Sequence, residues 1–263
     1  MVLHNRWPNV LFEVLIPLMG AAIPLLLYIF TLAPTVTFED SGELIAAAYT
    51  LGVPHQPGYP LFTLLGHLFT FLPPGNVAYR LNLMSAVCTT AGVMLLIAAL
   101  IRLLEDLPAG GFPTATPEST RRVPTGAGMA GLLGGLLGAV AFETWEQSII
   151  TEVYGLNTLF VGALMLSAVL WRRANTPGER TRYFLLICYL LGLTLANHTT
   201  SLMFIPVLLG VAVTEAPRFF LSLRRWMTGL GMFLLGLTPY LYLPLSSARD
   251  PWMDWGDPET LTN

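Results

Sequence analysis

The sequence predicts an all-α, polytopic membrane protein, and three observations carry that prediction. Only 11% of its 263 residues are charged, against roughly 25% in a soluble domain. Its mean hydropathy is +0.63. Its uncharged apolar stretches recur at about the length, roughly 20 residues, that a helix needs to cross a bilayer. Those stretches are Val14–Ala33, Leu81–Ile101, Gly126–Phe142, Val153–Trp171, Tyr183–Val213 and Trp226–Ala248. The fifth, about 31 residues long, exceeds one span and is expected to fold as two short ones turning near Ala196-Asn197-His198-Thr199. The expected total is about seven transmembrane helices.

The N-terminal stretch follows Arg6 and runs into Ala33-Pro34 with no small-residue cleavage pattern, so it reads as a first span and not as a cleaved leader. A long outer loop, residues 34–80, comes next. It holds two short apolar segments, Ser41–Leu51 and Pro57–Leu72, which predict helices lying along the outer face. Ser41 with Glu43 in the first turn has the character of a helix start, and Gly52-Val53-Pro54 ends that helix. Residues 104–125, rich in Pro, Gly, Thr and Ala, predict a flexible cytoplasmic loop. A second outer loop carries Glu143, Glu146 and Glu152, and the polar tail 246–263 also lies outside. The chain reads as one transmembrane domain over 1–263, possibly a fragment of a longer protein.

Arginine placement fixes this arrangement. All 13 basic residues are Arg. With the N-terminus in the cytoplasm, Arg6, Arg102, Arg121, Arg122, Arg172, Arg173, Arg180, Arg182, Arg218, Arg224 and Arg225 lie inside, and only Arg80 and Arg249 lie outside. This is a strong positive-inside bias. Letting Tyr59–Leu72 cross would flip every later loop and put most arginines outside. The expected location is therefore multi-pass in a membrane, with the N-terminus inside and the acidic loops on the outer face.

The absence of lysine excludes Schiff-base chemistry. Cys88 and Cys188 lie in apolar runs and give no disulfide framework. The sequence has no P-loop, dinucleotide fingerprint, zinc spacing or His-Glu-x-x-His. The net charge of −3 is small and says nothing useful about partners; no nucleic-acid partner is expected.

Chemistry concentrates after the first span, in Thr37-Phe38-Glu39-Asp40-Ser41-Gly42-Glu43 and Pro54-His55-Gln56-Pro57-Gly58-Tyr59-Pro60. Ionisable groups at a membrane boundary are expensive and mark working sites. Glu39 and Asp40 stand at a helix N-terminus, where the dipole favours the ionised form. There Asp40 serves as a general base or, less demandingly, as a helix cap. Two prolines stiffen the loop around His55, which suits a histidine aimed at a phosphate. Glu152, in Glu152-Val153-Tyr154, faces the same compartment and can flank the same substrate. Asp40 and Glu152 would be the ligands of a divalent ion, magnesium or manganese, if one is used. His198 sits at the outer turn of the short hairpin. Arg249 is an outer cation suited to a lipid phosphate or to pairing with Asp250 or Asp254.

These motifs resemble a family of multi-pass proteins once known only as a domain of unknown function, whose eukaryotic member is a protein O-mannosyltransferase. Its bacterial relatives belong with the GT-C glycosyltransferases. Phe38 to Glu43, Leu51 to Pro60, Glu152-Val153-Tyr154, Asn197-His198, Pro239 to Leu245 and Asp254 to Pro258 match in order. The resemblance implies a GT-C-like fold and transfer of a mannose-like hexose from a polyprenyl-phosphate carrier to an acceptor hydroxyl on a protein or glycan. It implies Asp40 as base, supported by Glu39 and Glu43. It assigns substrate contacts to His55, Tyr59, Glu152, Tyr154, His198 and Arg249. Gln56 replaces a proline of the family pattern, and Ser246 stands where an arginine often follows Pro-Leu, so the lipid-phosphate role either shifts to Arg249 or is absent. The rival class is a transporter or lipid flippase. The sequence shows no internal repeat, and its ionisable residues cluster at one face instead of the midplane, both against that class.

Overall fold

The computed structural model describes residues 7–73, 75–106, 124–255 and 257–258, with side chains described from residue 13 onward. Arg6, Arg121, Arg122 and most of the expected 104–125 loop lie outside the described residues. The described residues are all helix, turn and loop, apart from one isolated parallel bridge between Val53 and Asp254.

Helix α1 (Trp7–Thr31) is followed by two ten-residue helices, α2 (Ser41–Thr50) and α3 (Pro60–Phe69). These are the two expected surface helices. Neither reaches the length of a span. Leu51, in the left-handed region at φ 55°, ends α2, and Pro60 opens α3. Helix α4 (Val77–Glu105) begins earlier than the apolar run suggests, because the Asn76 side chain accepts the Tyr79 N–H and caps it. Arg80 thus lies in the first turn of α4 and holds the carbonyls of Thr70 and Gly75 at 2.5 and 3.0 Å.

Helices α5 (Pro124–Ala139) and α6 (Phe142–Ile149) meet at a 63° bend. Glu143 and Glu146 are therefore helical and not in a loop, which corrects the expected outer loop. Helix α7 (Val153–Arg173) follows, then α8 (Pro177–Leu195), opened by a capping box between Thr176 and Glu179. The chain turns at Ala196–His198, as the length of the fifth run requires. A 3₁₀ turn (Thr199–Met203) and α9 (Phe204–Glu215) carry it back. Helix α10 (Leu223–Gly236) and α11 (Tyr242–Ser247), joined through the 3₁₀ turn Thr238–Leu241, complete the described helices with a 42° bend.

Helices α1, α4 and α7 are long and apolar enough to cross a membrane, and counting each bent pair as one span raises the number to five. The expected seven are not reached on length and composition. Helix α8 carries Glu179, Arg180 and Arg182 near its start, and the Thr199–Glu215 segment is short. The chain is a multi-pass integral membrane protein.

Helix α4 is the spine, packed by α7, α5 and α1. Its contact with α7 is backbone to backbone. A Cβ added at Gly155 would stand 2.8 Å from the Ser85 carbonyl, and one at Gly92 would strike the backbone of Thr158. Small residues at crossing points are the usual means by which membrane helices gain close packing. Around the starts of α4 and α7, Leu44, Tyr59, Phe62, Met84, Val153 and Leu156 form one buried cluster, which seats α2 and α3. At the other end, ion pairs join Arg102 to Glu13, Arg173 to Glu105 and Arg172 to Glu215 at 3.0–3.2 Å. The arginines at the ends of α4, α7 and α9–α10 thus share one face, and the acidic motifs occupy the opposite one.

Candidate active site

The segment leading to Asp40 is held by a buried asparagine. Asn82, fully buried one turn into α4, donates to the carbonyls of Ala33 and Thr35 at 2.8 and 3.1 Å. Its own oxygen accepts the Thr151 hydroxyl at 2.5 Å. The Ala33 N–H reaches the Ile149 carbonyl at 3.0 Å, so the loop after α1 is fastened to the start of α4 and the end of α6. Glu39 then adopts φ 61°, a conformation uncommon outside glycine. That kink turns the chain into α2.

Asp40 stands at the N-cap position of α2, yet its carboxylate makes no capping hydrogen bond. The capping role is thereby removed, and the side chain, 54% exposed, is available for other work. Its backbone N–H donates to Glu152 Oε1 at 3.2 Å. Glu152 is buried, 3% exposed, at the N-terminus of α7. Burial, and next the negative charge of Asp40, raise its carboxyl from 4.5 to about 7.

His55 links the remaining acids. Its backbone N–H and its Nδ1 both meet the Glu43 carboxylate, at 2.5 and 3.1 Å, which favours a proton on Nδ1. Its Nε2 lies 3.1 Å from the Tyr59 hydroxyl and 3.8 Å from Asp40 Oδ2. Tyr59, at φ 37°, stacks parallel to His198 with ring centroids 6.1 Å apart, and Tyr154 leans on the other contact of His198 at 5.3 Å. The result is a row of four rings, His55–Tyr59–His198–Tyr154, beside three carboxylates. Burial and the nearby Asp40 push the Tyr59 hydroxyl up, so it stays a donor. Burial lowers His198, which favours its neutral form.

The turn carrying His198 is fixed from two sides. The fully buried Asn197 donates to the Val153 carbonyl at 3.2 Å, and the Leu61 N–H reaches the Ala196 carbonyl at 3.1 Å. The far end of the chain closes the His55 loop. The Tyr242 hydroxyl donates to the Gly52 carbonyl at 2.9 Å, Ser246 Oγ donates to the Leu51 carbonyl, and Val53 pairs with Met253 and Trp255 through 2.8 and 3.0 Å backbone bonds. Gly58, at φ 88°, leaves room for Leu243 of α11; a Cβ there would stand 2.8 Å from it.

The structure therefore gathers Asp40, Glu43, His55, Tyr59, Glu152, Tyr154 and His198. Glu39 is exposed and adds charge to the neighbourhood of Glu152 without a hydrogen bond to the cluster. Arg249 follows α11, exposed, and forms no ion pair with Asp250 or Asp254 among the described residues. The structure gives it no contact with the acids.

The expected metal pair is also revised. The donor atoms that converge, within 4.8 Å of one another, belong to Asp40, Glu43 and His55, whereas Glu152 Oε1 is engaged by the Asp40 N–H. Two carboxylates and one imidazole suit manganese better than magnesium. Glu43, however, already receives two N–H groups of His55. Sequence reasoning missed Asn82 and Thr151. The available signal was an amide inside an otherwise apolar run.

Residues 40–218 match the family model described as the protein O-mannosyl-transferase TMEM260 N-terminal domain. The chain belongs to that family. It is 37% identical over 240 residues to the protein O-mannosyl-transferase TMEM260 of Mus musculus, covering 89% of this chain and 31% of the relative. It is 27% identical over 251 residues to the Dictyostelium discoideum protein of the same name, covering 90% of this chain and 28% of that one. The chain thus spans about a third of the length of these relatives. No solved structure matches it significantly.

Proposed function

We propose that the chain is a protein O-mannosyltransferase that moves a mannose-like hexose from a polyprenyl-phosphate carrier to an acceptor hydroxyl at the acidic face. Asp40 takes the acceptor proton. The acceptor oxygen forms a bond to the anomeric carbon, and the carbon–oxygen bond to the carrier phosphate breaks, its electron pair leaving with the phosphate. His55, held by Glu43, and Arg249 meet the phosphate charge as it develops. Tyr59, His198 and Tyr154 form an aromatic wall for the sugar. Glu152, protonated near neutrality, donates to a sugar hydroxyl.

One observation carries this reading: Asp40 holds the N-cap position but does not cap, and its carboxylate stands 3.8 Å from His55 and beside a buried acid. Helix α8 and the Thr199–Glu215 segment serve as two further short spans, giving seven. The arginine face is cytoplasmic and the acids face outward, as expected for a bacterial inner membrane. The test is transfer from polyprenyl-phosphate mannose to an acceptor peptide by the full chain in proteoliposomes, read by mass spectrometry. Asp40→Asn should lose at least a hundredfold in rate with donor binding retained, the low end of what a general base contributes. Unchanged transfer by the Asn variant refutes the role of Asp40. Solute or lipid flux without any transfer would favour a transporter.

A further inference from the structure

The face opposite the acids has a site that the reaction does not use. Arg180, Arg218 and Arg225 line a pocket of about 600 Å³ between the start of α8, the end of α9 and the start of α10. Arg180 and Arg225 each spend one N–H on a backbone carbonyl, of Ala174 at 3.3 Å and Phe219 at 2.7 Å. Their planes lie over Trp171 and Phe219 at 5.4 and 4.3 Å. That contact holds them in place and leaves other N–H groups unspent; the Arg180 Nε is buried without a partner. Arg218 is exposed and makes no ion pair among the described residues. The one carboxylate in the pocket, Glu215, is already paired with Arg172 at 3.0 Å. Three cations thus remain uncompensated.

An apolar cavity of about 280 Å³ adjoins this pocket on the membrane side, between α7, α8, α9 and α10. The two share a wall of rings. Trp171 lines the cavity and carries Arg180 on its face, and Phe220 lines the cavity while its neighbour Phe219 lines the pocket. The cavity runs along Leu191, Leu208 and Leu230 toward the middle of the helices. The indole N–H of Trp171, 4% exposed, has no acceptor.

We propose that this pair of spaces binds one anionic phospholipid of the membrane leaflet on the arginine side. Its phosphate sits among Arg180, Arg218 and Arg225, and part of one acyl chain fills the cavity. Charge complementarity selects the headgroup, since basic pockets between membrane helices favour anionic lipids. The apolar cavity selects a lipid over a free ion. The proposal is independent of the transferase reading, because it concerns the other face.

The test is native mass spectrometry of the full chain in detergent, titrated separately with phosphatidylglycerol and with phosphatidylcholine of the same chains. The wild type should retain one phosphatidylglycerol with at least a tenfold preference. Arg218→Ala, an exposed change that leaves the fold intact, should lower that retention about fivefold, the worth of one arginine near an anionic surface. Leu208→Trp, which fills the cavity, should lower retention of both lipids. Thermal melting checks that each variant is folded. Equal retention of the two lipids by the wild type overturns the proposal, as does an unchanged phosphatidylglycerol affinity in Arg218→Ala. Undiminished binding in a folded Leu208→Trp variant would mean that only a phosphate is held, which also refutes it.

Discussion

Glu152 gives the most quantitative prediction. Its carboxyl is buried and rises from 4.5 to about 7, chiefly by desolvation and then by the charge of Asp40. Folding therefore favours its protonated form. Below pH 4.5 the group is neutral in both folded and unfolded chains and contributes no penalty. Between about 4.5 and 7 the unfolded chain ionises first, so stability falls as pH rises, and above 7 the full penalty is present. A shift of this size corresponds to about 3 kcal/mol. Glu152→Gln removes the titration while keeping an oxygen to accept the Asp40 N–H. At pH 5 the variant should melt within a degree or two of the wild type. At pH 8 it should be more stable by about 3 kcal/mol, which is on the order of 5–10 °C in Tm for a chain of this size. Differential scanning fluorimetry in detergent across pH 5–8 measures both. The difference between the two curves isolates Glu152. Parallel curves would refute the assignment. An Asp40→Asn background should move the wild-type curve toward higher pH stability, since the second cause of the shift is removed.

Asn82→Ala should cost about 1–3 kcal/mol, because it leaves the Thr151 hydroxyl and the carbonyls of Ala33 and Thr35 without partners in a buried place. Thermal melting reads that loss, and a weakened transfer rate would accompany it as the segment before Asp40 loosens. Gly155→Val forces α7 away from the Ser85 carbonyl, 2.8 Å from the added Cβ, and should leave little folded protein in size-exclusion profiles of detergent extracts. Tyr242→Phe with Ser246→Ala releases two bonds to the Leu51-Gly52 turn and should speed amide hydrogen exchange over residues 51–58 while leaving α4 and α7 protected.

Much of this architecture is written in the chain. The two surface helices after α1, the turn at Ala196–His198 and the separation of arginines from acids all follow from run length, proline and glycine placement, and charge. These signals are local. The bend between α5 and α6 was not legible, since Phe142–Ile149 reads as polar loop by charge and becomes helix only when it lies on α1 and α4. The same holds for the partners of Asn82 and Asn197. An amide in an apolar run signals a hydrogen bond, but its partner is set by tertiary packing. Residues 246–263 were expected as a polar tail, and 242–245 as part of the last apolar span. The docking of residues 242–255 on residues 51–53 depends on hydrogen bonds across about 190 positions, which no window of sequence contains.

The site also answers how so many carboxylates can share one membrane boundary. Each acid meets a different solution to the cost of charge. Glu43 receives two N–H groups from His55, Asp40 reaches water, and Glu152, buried, accepts the Asp40 N–H yet keeps its proton until about pH 7. Two acids a few ångströms apart whose environments differ in this way can divide the roles of acid and base. The fold supplies that division through the buried position of Glu152 at the start of α7. Its Oε1 accepts the backbone N–H of Asp40, so the residue that holds the proton also fixes the proposed base. Replacing Glu152 would then alter the placement of Asp40 as well as the charge beside it. For that reason the amide variant, which keeps the acceptor oxygen, distinguishes the electrostatic role from the positional one more clearly than alanine.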